Sequence, residues 1–297
     1  AAGATIGGGT FNTNQALNAV IGGGIDNEIL ASSAGSTIGG GVGNQILLGA
    51  NGATISGGGA NQIGNSAMRS VIGGGLTNRI QTGAQNATIG GGSNNVVSGS
   101  FGTIPGGDQN MASTNSFAAG HRAKATDTGS FVWADATDVD FTDAGTNTFN
   151  VRASGGVVFS SGSTNGTNQT VSWTPGSGSW SFTSDRNAKE NFQPVDARQV
   201  LEKVASLPLM EWNYKGYGDR HVGPMAQDFH AAFPFNANDK MLNSADEAGV
   251  SLAAIQGLNE KLDEKDAEIQ SLRKQNDSLA ERLNELETTV KQLASQK

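Results

Sequence analysis

The sequence lacks cysteine and has little proline, and each shortage excludes a class of structure. None of the 297 residues is cysteine, which excludes disulfide bonds and thiolate metal sites. Six residues are proline and 43 are glycine, but glycine does not recur at every third position, so a collagen triple helix is excluded. Glycine at this frequency without that period indicates a repeat of another kind. We expect burial and oligomerisation to stabilise it.

Positive charge and long apolar runs are also scarce. The formal net charge is −8, which disfavours nucleic acid and anionic membrane surfaces as partners because both attract basic patches. No run approaches the ~18 apolar residues of a membrane-spanning helix. No basic segment followed by an apolar core opens the chain. The start at Ala1-Ala2, followed at once by repeats, favours a secreted mature protein.

What the sequence does contain is an internal repeat over its first 120 residues. An isoleucine followed at once, or after one residue, by glycine recurs at intervals of 15 or 17 residues, and an asparagine follows six positions later. The isoleucines are Ile6, Ile21, Ile38, Ile55, Ile72, Ile89 and Ile104, and the asparagines are Asn12, Asn27, Asn44, Asn61, Asn78, Asn95 and Asn110. In the five central repeats a second β-branched residue stands two positions further on, at Ile29, Ile46, Ile63, Ile80 and Val97.

This repeat favours a parallel β-coil. About 17 residues per coil, at roughly 3.3 Å per strand residue, allow two short strands and two corners. We expect the asparagines to occupy corners in the left-handed backbone conformation, which asparagine tolerates, and to stack from coil to coil. Two strands cannot enclose a core, so we expect identical neighbouring chains to supply a third wall.

The pattern resembles the head repeats of trimeric autotransporter adhesins, whose usual repeat is shorter, as in Phe117-Ala118-Ala119-Gly120. The resemblance implies a left-handed parallel β-roll that trimerises around its axis. Acidic residues are few in this segment: Asp26, Glu28 and Asp108. Because Asp26 and Glu28 share one turn and Asp108 lies several turns away, we do not expect an enzyme that cleaves polysaccharide. The polar face is either a spacer, which we favour, or a surface that binds glycans.

A neck segment, in which charge and tryptophan become more frequent, follows the repeats. Alternating side chains at 130–133 and 148–151 predict two short strands. Asp135, Asp138 and Asp140 do not have the spacing of an EF-hand calcium loop. We therefore expect a solvated acidic loop here and no metal site.

Four short motifs and a terminal helix follow residue 180. The motifs are Ser184-Asp185-Arg186-Asn187-Ala188-Lys189, Trp212-Asn213-Tyr214, His221-Val222-Gly223-Pro224-Met225-Ala226-Gln227-Asp228 and Ala248-Gly249-Val250-Ser251-Leu252. Together they resemble the peptidase S74 family, the intramolecular chaperone domains at the C-termini of phage tail spikes and fibres. The similarity covers residues 181 to about 297.

This resemblance implies a self-cleaving serine–lysine dyad. Ser184 would be the nucleophile, Lys189 its general base, and the bond between Thr183 and Ser184 the scissile bond. A lysine with the ordinary pKa of ~10.4 is protonated at neutral pH and cannot accept a proton. Burial during assembly would lower that pKa by disfavouring the charged form, so we expect cleavage to be coupled to folding. The chain would be at most a single-turnover serine peptidase with no external substrate.

Other residues of this region predict structure rather than chemistry. Asp196 is placed to cap a helix that has Gln199 at its third position. Met210 and Trp212 alternate as in a half-buried strand. His221 has no nearby partner for acid–base chemistry, so we expect a structural role for it.

The C-terminal residues show six heptads typical of a coiled coil. Position a is occupied by Ile255, Leu262, Ile269, Asn276, Leu283 and Val290, and position d by Leu258, Lys265, Leu272, Leu279, Leu286 and Leu293. Polar Lys265 and Asn276 are expected to fix the register at some cost in stability. β-branched residues at a with Leu at d favour two strands. We nevertheless expect three, because the stalk needs a third wall and the resemblance implies a trimer.

These features predict a mainly β protein: a trimeric left-handed parallel β-roll stalk (1–121), a small β neck and connector (122–180), an α+β chaperone domain (181–250) and a trimeric coiled coil (251–297). We expect a homotrimeric extracellular fibre or cell-surface adhesin. The alternative is a phage tail fibre or receptor-binding protein on the virion tail. Cell-surface glycans or receptors are its candidate partners; nucleic acid, cofactors and metals are not expected.

Overall fold

A computed structural model describes residues 1–164, 167–235 and 237–295. Residues 165–166 of the expected connector, Asn236 of the expected chaperone domain and the last two residues of the expected coiled coil lie outside the described residues. The chain divides into two compact units, Ala1–Ser184 and Asp185–Lys297.

The strands of the first unit have two residues each up to residue 112, and most of those after residue 116 are longer. In chain order they are β1 Thr5–Ile6, β2 Thr13–Asn14, β3 Val20–Ile21, β4 Glu28–Ile29, β5 Thr37–Ile38, β6 Gln45–Ile46, β7 Thr54–Ile55, β8 Gln62–Ile63, β9 Val71–Ile72, β10 Arg79–Ile80, β11 Thr88–Ile89, β12 Val96–Val97, β13 Thr103–Ile104, β14 Gly107–Asp108, β15 Met111–Ala112, β16 Phe117–His121, β17 Ala123–Ala125, β18 Phe131–Ala134, β19 Phe141–Thr142, β20 Phe149–Arg152, β21 Val157–Thr164, β22 Thr167–Trp173 and β23 Ser181–Phe182.

The second unit is mixed. Its elements in chain order are a one-turn 3-10 helix Arg186–Ala188, helix α1 Ala197–Ser206, strands β24 Met210–Trp212 and β25 His221–Gly223, helix α2 Ala226–Ala232 and helix α3 Ser244–Ala294.

Residues 1–152, all of them described, form a parallel β-solenoid of about nine turns. One strand of each coil joins the first sheet, in the order β1-β3-β5-β7-β9-β11-β13-β16-β18-β20, and another joins the second sheet, in the order β2-β4-β6-β8-β10-β12-β15-β17-β19. Neighbouring coils pair in register, so Ile21 lies opposite Ile38 and Ile29 lies opposite Ile46. The interval of the repeat is therefore the length of a coil, and the predicted parallel β-coil is confirmed.

The third wall of the solenoid comes from the chain itself. Between the two strands of a coil, single-residue bridges form a third parallel ladder through Thr10, Ile25, Val42, Gly59, Leu76, Ser93 and Asp108. Isoleucines of both sheets, such as Ile38 and Ile46, are fully buried within one chain. The expectation that identical neighbours must supply this wall was wrong, because the isoleucines of the core are already fully buried within one chain.

The repeated asparagines lie inside the coil. The side chain of Asn44 is fully buried, and its Nδ2 donates to the carbonyl oxygens of Gly40 and Gly58, each at 3.0 Å. Its Oδ1 accepts hydrogen bonds from the backbone N–H and the Nδ2 of Asn61, at 3.1 and 3.0 Å. The residue with positive φ is the preceding Gly43, at 68°. Stacking from coil to coil is thus confirmed, but the corner role expected of asparagine was wrong.

The solenoid continues after the glycine and asparagine markers end. β18 pairs in register with β16, and β20 pairs in register with β18. Both stretches predicted as strands beyond residue 121 are therefore strands, and they extend the first sheet. An antiparallel sheet of β21, β22 and β23 follows the last coil.

The second unit has its own small core. Phe229, Phe233 and Val250 are buried in it, and Val200 and Val204 of α1 pack against them. Asp196 caps α1, and its carboxylate accepts a 3.0 Å hydrogen bond from the N–H of Gln199, as predicted. β24 and β25 form the hairpin that contains Met210 and Trp212. Within the described part of the chain, no helix is long and apolar enough to cross a membrane.

Candidate assembly and processing site

The proposed scissile bond begins at a residue that is held by the antiparallel sheet. The N–H of Thr183 donates to the carbonyl oxygen of Thr170 at 3.0 Å, and the Oγ1 of Thr183 accepts from the N–H of Thr170 at 2.9 Å. Ser184 is exposed, and the division between the two compact units falls immediately after it. The bond between Thr183 and Ser184 therefore joins an anchored residue to an exposed serine.

The backbone between Ser184 and Lys189 turns through the one-turn 3-10 helix. Asp185 caps this helix, and its Oδ1 accepts hydrogen bonds from the backbone N–H and the Nδ2 of Asn187, at 2.9 and 3.1 Å. The N–H of Lys189 donates to the carbonyl oxygen of Arg186 at 3.2 Å. The polar residues between the serine and the lysine thus fix the local backbone.

The side chain of Lys189 is exposed in a single chain, as is that of Ser184. The desolvation that would turn a lysine into a general base is therefore not supplied by this chain alone.

The hairpin of β24 and β25 carries an aromatic cluster. The Trp212 ring stacks on the His221 imidazole with centroids 4.6 Å apart, and the Tyr214 ring meets the Trp212 ring edge-on at 5.1 Å. These packed rings support the structural role expected for His221. Among the described residues, the buried Nε1 of Trp212 has no hydrogen-bond acceptor.

Helix α3 has an apolar stripe that nothing covers in the described parts of one chain. Ile255 is 62% exposed, and the apolar residues at the following a and d positions are 45–64% exposed. These residues are Leu258, Leu262, Ile269, Leu272, Leu279, Leu283, Leu286, Val290 and Leu293. Polar Lys265, at position d, forms a 2.5 Å ion pair with Glu268 of the same helix. The stripe is the surface expected of an unassembled coiled-coil strand.

A ladder of charged side chains runs across the last coils of the solenoid. The His121 Nδ1 lies 2.8 Å from the Asp108 carboxylate, and its Nε2 lies 3.1 Å from the Asp138 carboxylate. Arg122 forms ion pairs with Asp138 and Asp140 at 3.0 and 2.8 Å. The three carboxylates belong to Asp108, which precedes His121 and Arg122 by about one coil, and to Asp138 and Asp140, which follow them by about one coil.

The charge ladder shifts the pKa values of its members. Hydrogen bonds to Asp108 and Asp138 raise the pKa of His121. Hydrogen bonds from His121 and Arg122 lower the pKa of Asp138. The pKa of Asp135 lies far below its usual range, first because it accepts a hydrogen bond from the backbone N–H of Ser154.

The expected solvated loop holds for Asp138 and Asp140, whose side chains are 79% and 51% exposed, but all three carboxylates are also paired. Asp135 is 15% exposed and forms a 2.9 Å ion pair with Arg152, and Asp138 and Asp140 bind Arg122. The pairing of His121 was missed, although the sequence carries a signal for it. Asp108 precedes His121 by 13 residues and Asp138 follows it by 17, and these intervals are close to one coil.

Comparison with known families finds one match in this region. Residues 184–237 match the Peptidase_S74 family, described as "Chaperone of endosialidase". The match begins at the proposed nucleophile and includes Lys189, α1, the β24–β25 hairpin and α2. No curated protein matches the chain.

Proposed function

We propose that this chain is one subunit of a homotrimeric extracellular fibre, in which the solenoid is the shaft and the second unit aligns the chains. The exposed stripe of α3 carries this proposal. An isolated helix that leaves ten apolar heptad residues in water gains little from tertiary packing, which supplies most helix stability in proteins. Burial of the stripe between copies stabilises the assembly by roughly 25 cal/mol per Å² of apolar surface.

Three copies rather than two are supported by the family match. The match at residues 184–237 suggests assembly of the tail-fibre or tail-spike type, which is trimeric. The heptad composition alone favours two strands, and the solenoid closes its core without a neighbour. The number of chains is therefore set by the second unit and not by the shaft.

The location of such a fibre is outside the cell, with two candidate settings. The family match favours a fibre on a virion tail that binds a host receptor or glycan. The resemblance of the repeats to adhesin heads favours a fibre on a bacterial surface. The same assembly mechanism serves both settings.

The second part of the proposal is self-cleavage between Thr183 and Ser184 in the assembled protein. The Oγ of Ser184 attacks the Thr183 carbonyl carbon, and Lys189 takes the Oγ proton and passes it to the departing Ser184 amine. The C–N bond breaks as an ester forms. Water then hydrolyses the ester, which leaves a Thr183 carboxylate and restores the Ser184 hydroxyl. Because Lys189 is exposed in one chain, the reaction requires the burial that assembly provides.

Intact-mass measurement on the denatured chain, with the native mass of the same sample measured by light scattering, tests both parts. We expect the native sequence to give two fragments, 1–183 and 184–297, and Ser184→Ala and Lys189→Met to give one full-length mass. Leu279→Glu places a charge in the helix stripe and should also remain uncleaved. Ser278→Glu, at the neighbouring outward position, is its matched control and should be cleaved.

Two results would contradict this account. A full-length mass for the native sequence, in a sample that is assembled, would exclude self-cleavage. Cleavage of Leu279→Glu in a sample that is monomeric would show that the reaction does not depend on assembly.

A further inference from the structure

The outward face of the first sheet changes character at its C-terminal end. β16, β18 and β20 pair in register, which aligns Phe117, Phe131 and Phe149 in one outward column. Adjacent rings are stacked with centroids 4.7 Å apart. Phe149, the last ring, is 70% exposed.

A second outward column lies beside the first. It contains Ala119, Trp133 and Val151, which pair across the same three strands. Trp133 is 39% exposed and Val151 is 36% exposed. Val151 also lines a cleft of about 480 Å³ whose other wall includes Trp173. We call Phe117, Phe131, Phe149, Trp133 and Val151 together the aromatic face.

The solenoid itself does not need this face. The interior of the same coils is filled by buried Ala118, Val132 and Ala134. In earlier coils the first outward column is formed by Thr and Val: Thr5, Val20, Thr37, Thr54, Val71, Thr88 and Thr103. Large aromatic side chains therefore replace small ones where the fold would accept either. A contiguous exposed patch of this kind marks an interaction surface.

The geometry of the rings limits what can bind there. The planes of Phe117 and Phe131 differ by 1°, and those of Phe131 and Phe149 by 18°, so the rings cover each other's faces. A sugar ring or a nucleobase would stack on a free aromatic face, and this column offers one only at Phe149. Its remaining surface consists of ring edges, and neither column contains a charged residue. Ring edges suit packing against apolar side chains of a protein.

We propose that the aromatic face is an interface between copies of this chain. This inference rests on the proposed assembly, because α3 holds the copies together and raises the effective concentration of one solenoid near another. Around the three-fold axis of the proposed trimer, the aromatic faces of the three copies can meet one another at the same coil. The face is thus a second contact between chains, in the first unit.

Cysteine cross-linking of the full chain tests this proposal, because the natural sequence has no cysteine. Val151→Cys places a thiol within the aromatic face, and Phe149→Cys places one at its most exposed position. Val96→Cys is the matched control, since Val96 points outward from the second sheet. Each variant also carries Ser184→Ala to keep the chain intact. It is treated with a short bis-maleimide and analysed on a denaturing gel, with its native mass measured by light scattering.

We expect linked chains for Val151→Cys and Phe149→Cys, at least tenfold more than for Val96→Cys. Equal linking in all three variants, or none in the two face variants while light scattering shows a trimer, would overturn the interface and leave the proposed function intact. A monomer by light scattering would overturn the proposed function itself.

Discussion

Asn61 lies in the interior of the solenoid, where its side-chain amide joins three coils, and its Nδ2 donates to the Oδ1 of Asn44 in the preceding coil at 3.0 Å. Its Nδ2 donates to the carbonyl oxygens of Gly57 and Gly75 at 3.1 and 3.0 Å, and its Oδ1 accepts from the N–H of Asn78 at 3.0 Å. Asn61→Ala leaves buried donors and acceptors unpaired, at about 1–3 kcal/mol each. We expect the free energy of unfolding to fall by about 2–4 kcal/mol in urea titrations.

Gln62→Ala is the control for this substitution. Gln62 follows Asn61 directly, is only partly buried, and donates a 3.0 Å hydrogen bond to the side chain of Gln45. A change of no more than about 0.5 kcal/mol is expected there. Equal losses for the two variants would show that the asparagine ladder does not stabilise the coil.

His121 makes the end of the solenoid sensitive to pH. Its pKa is raised by hydrogen bonds to Asp108 and Asp138, so the stability that it contributes is complete below pH ~6.5 and is lost as the pH rises through the raised value. The pKa values of Asp138 and Asp140 are lowered, in each case first by a hydrogen bond from His121 or Arg122 respectively. Their contribution is present above their ordinary pKa and is lost in stronger acid.

Thermal unfolding of His121→Gln tests this behaviour. The natural sequence should unfold at a higher temperature at about pH 6 than at about pH 9, and the difference should shrink in the variant. His230→Gln serves as the control, because His230 lies in the second unit. The same pH dependence in His121→Gln as in the natural sequence would contradict the assignment.

For single residues, the sequence predicts which side chains stack from coil to coil better than it predicts where in the coil they lie. The spacing of the asparagines correctly indicates that Asn44 and Asn61 are stacked. It does not distinguish a corner from the interior, because both recur once per coil. The interior role depends on a glycine carbonyl of the next coil, that of Gly58 for Asn44 and that of Gly75 for Asn61. The approach of this carbonyl to the asparagine amide exists only after the chain has folded.

The coil as an element depends on glycine where neighbouring turns approach closely. Gly58 has φ of 87°, and a Cβ there would lie 2.2 Å from the carbonyl oxygen of Gly75. Gly83 has φ of 80°, but a Cβ there would meet nothing within 4 Å. Alanine would therefore have an unfavourable positive φ at both positions, but its Cβ would clash with the next coil only at Gly58.

Gly58→Ala and Gly83→Ala separate these effects. We expect Gly83→Ala to lower the free energy of unfolding by about 1–2 kcal/mol, the cost of a left-handed backbone for alanine. Gly58→Ala should cost at least about 2 kcal/mol more, because the backbone of the next coil cannot move away freely. Urea unfolding measures both. Similar losses would show that close approach of the coils is not what requires glycine.

The way in which each coil closes could not be predicted from the sequence. The third ladder pairs single residues, and its members in neighbouring coils include Ile25, Val42, Gly59 and Leu76. One residue per coil, of changing type, leaves no alternating pattern of the kind that identifies strands. The two Ile columns were visible because the first has an isoleucine in all seven repeats and the second has a β-branched residue in the five central ones.

For the whole molecule, the important contrast lies between a closed solenoid and an exposed helix. The solenoid buries its isoleucines within one chain, whereas α3 leaves its heptad residues in water. Assembly is therefore expected to start from the C-terminal unit. The serine and lysine of the proposed processing site could be identified from their motif, but the exposure of Lys189 in one chain could not be predicted from it.

The mass of the full chain in solution tests the central claim of a trimer most directly. Ser184→Ala keeps each chain intact, and light scattering then gives the mass of the assembly without assumptions about its shape. The predicted result is three times the chain mass of 30.3 kDa. A mass of one or two chains would contradict the trimer.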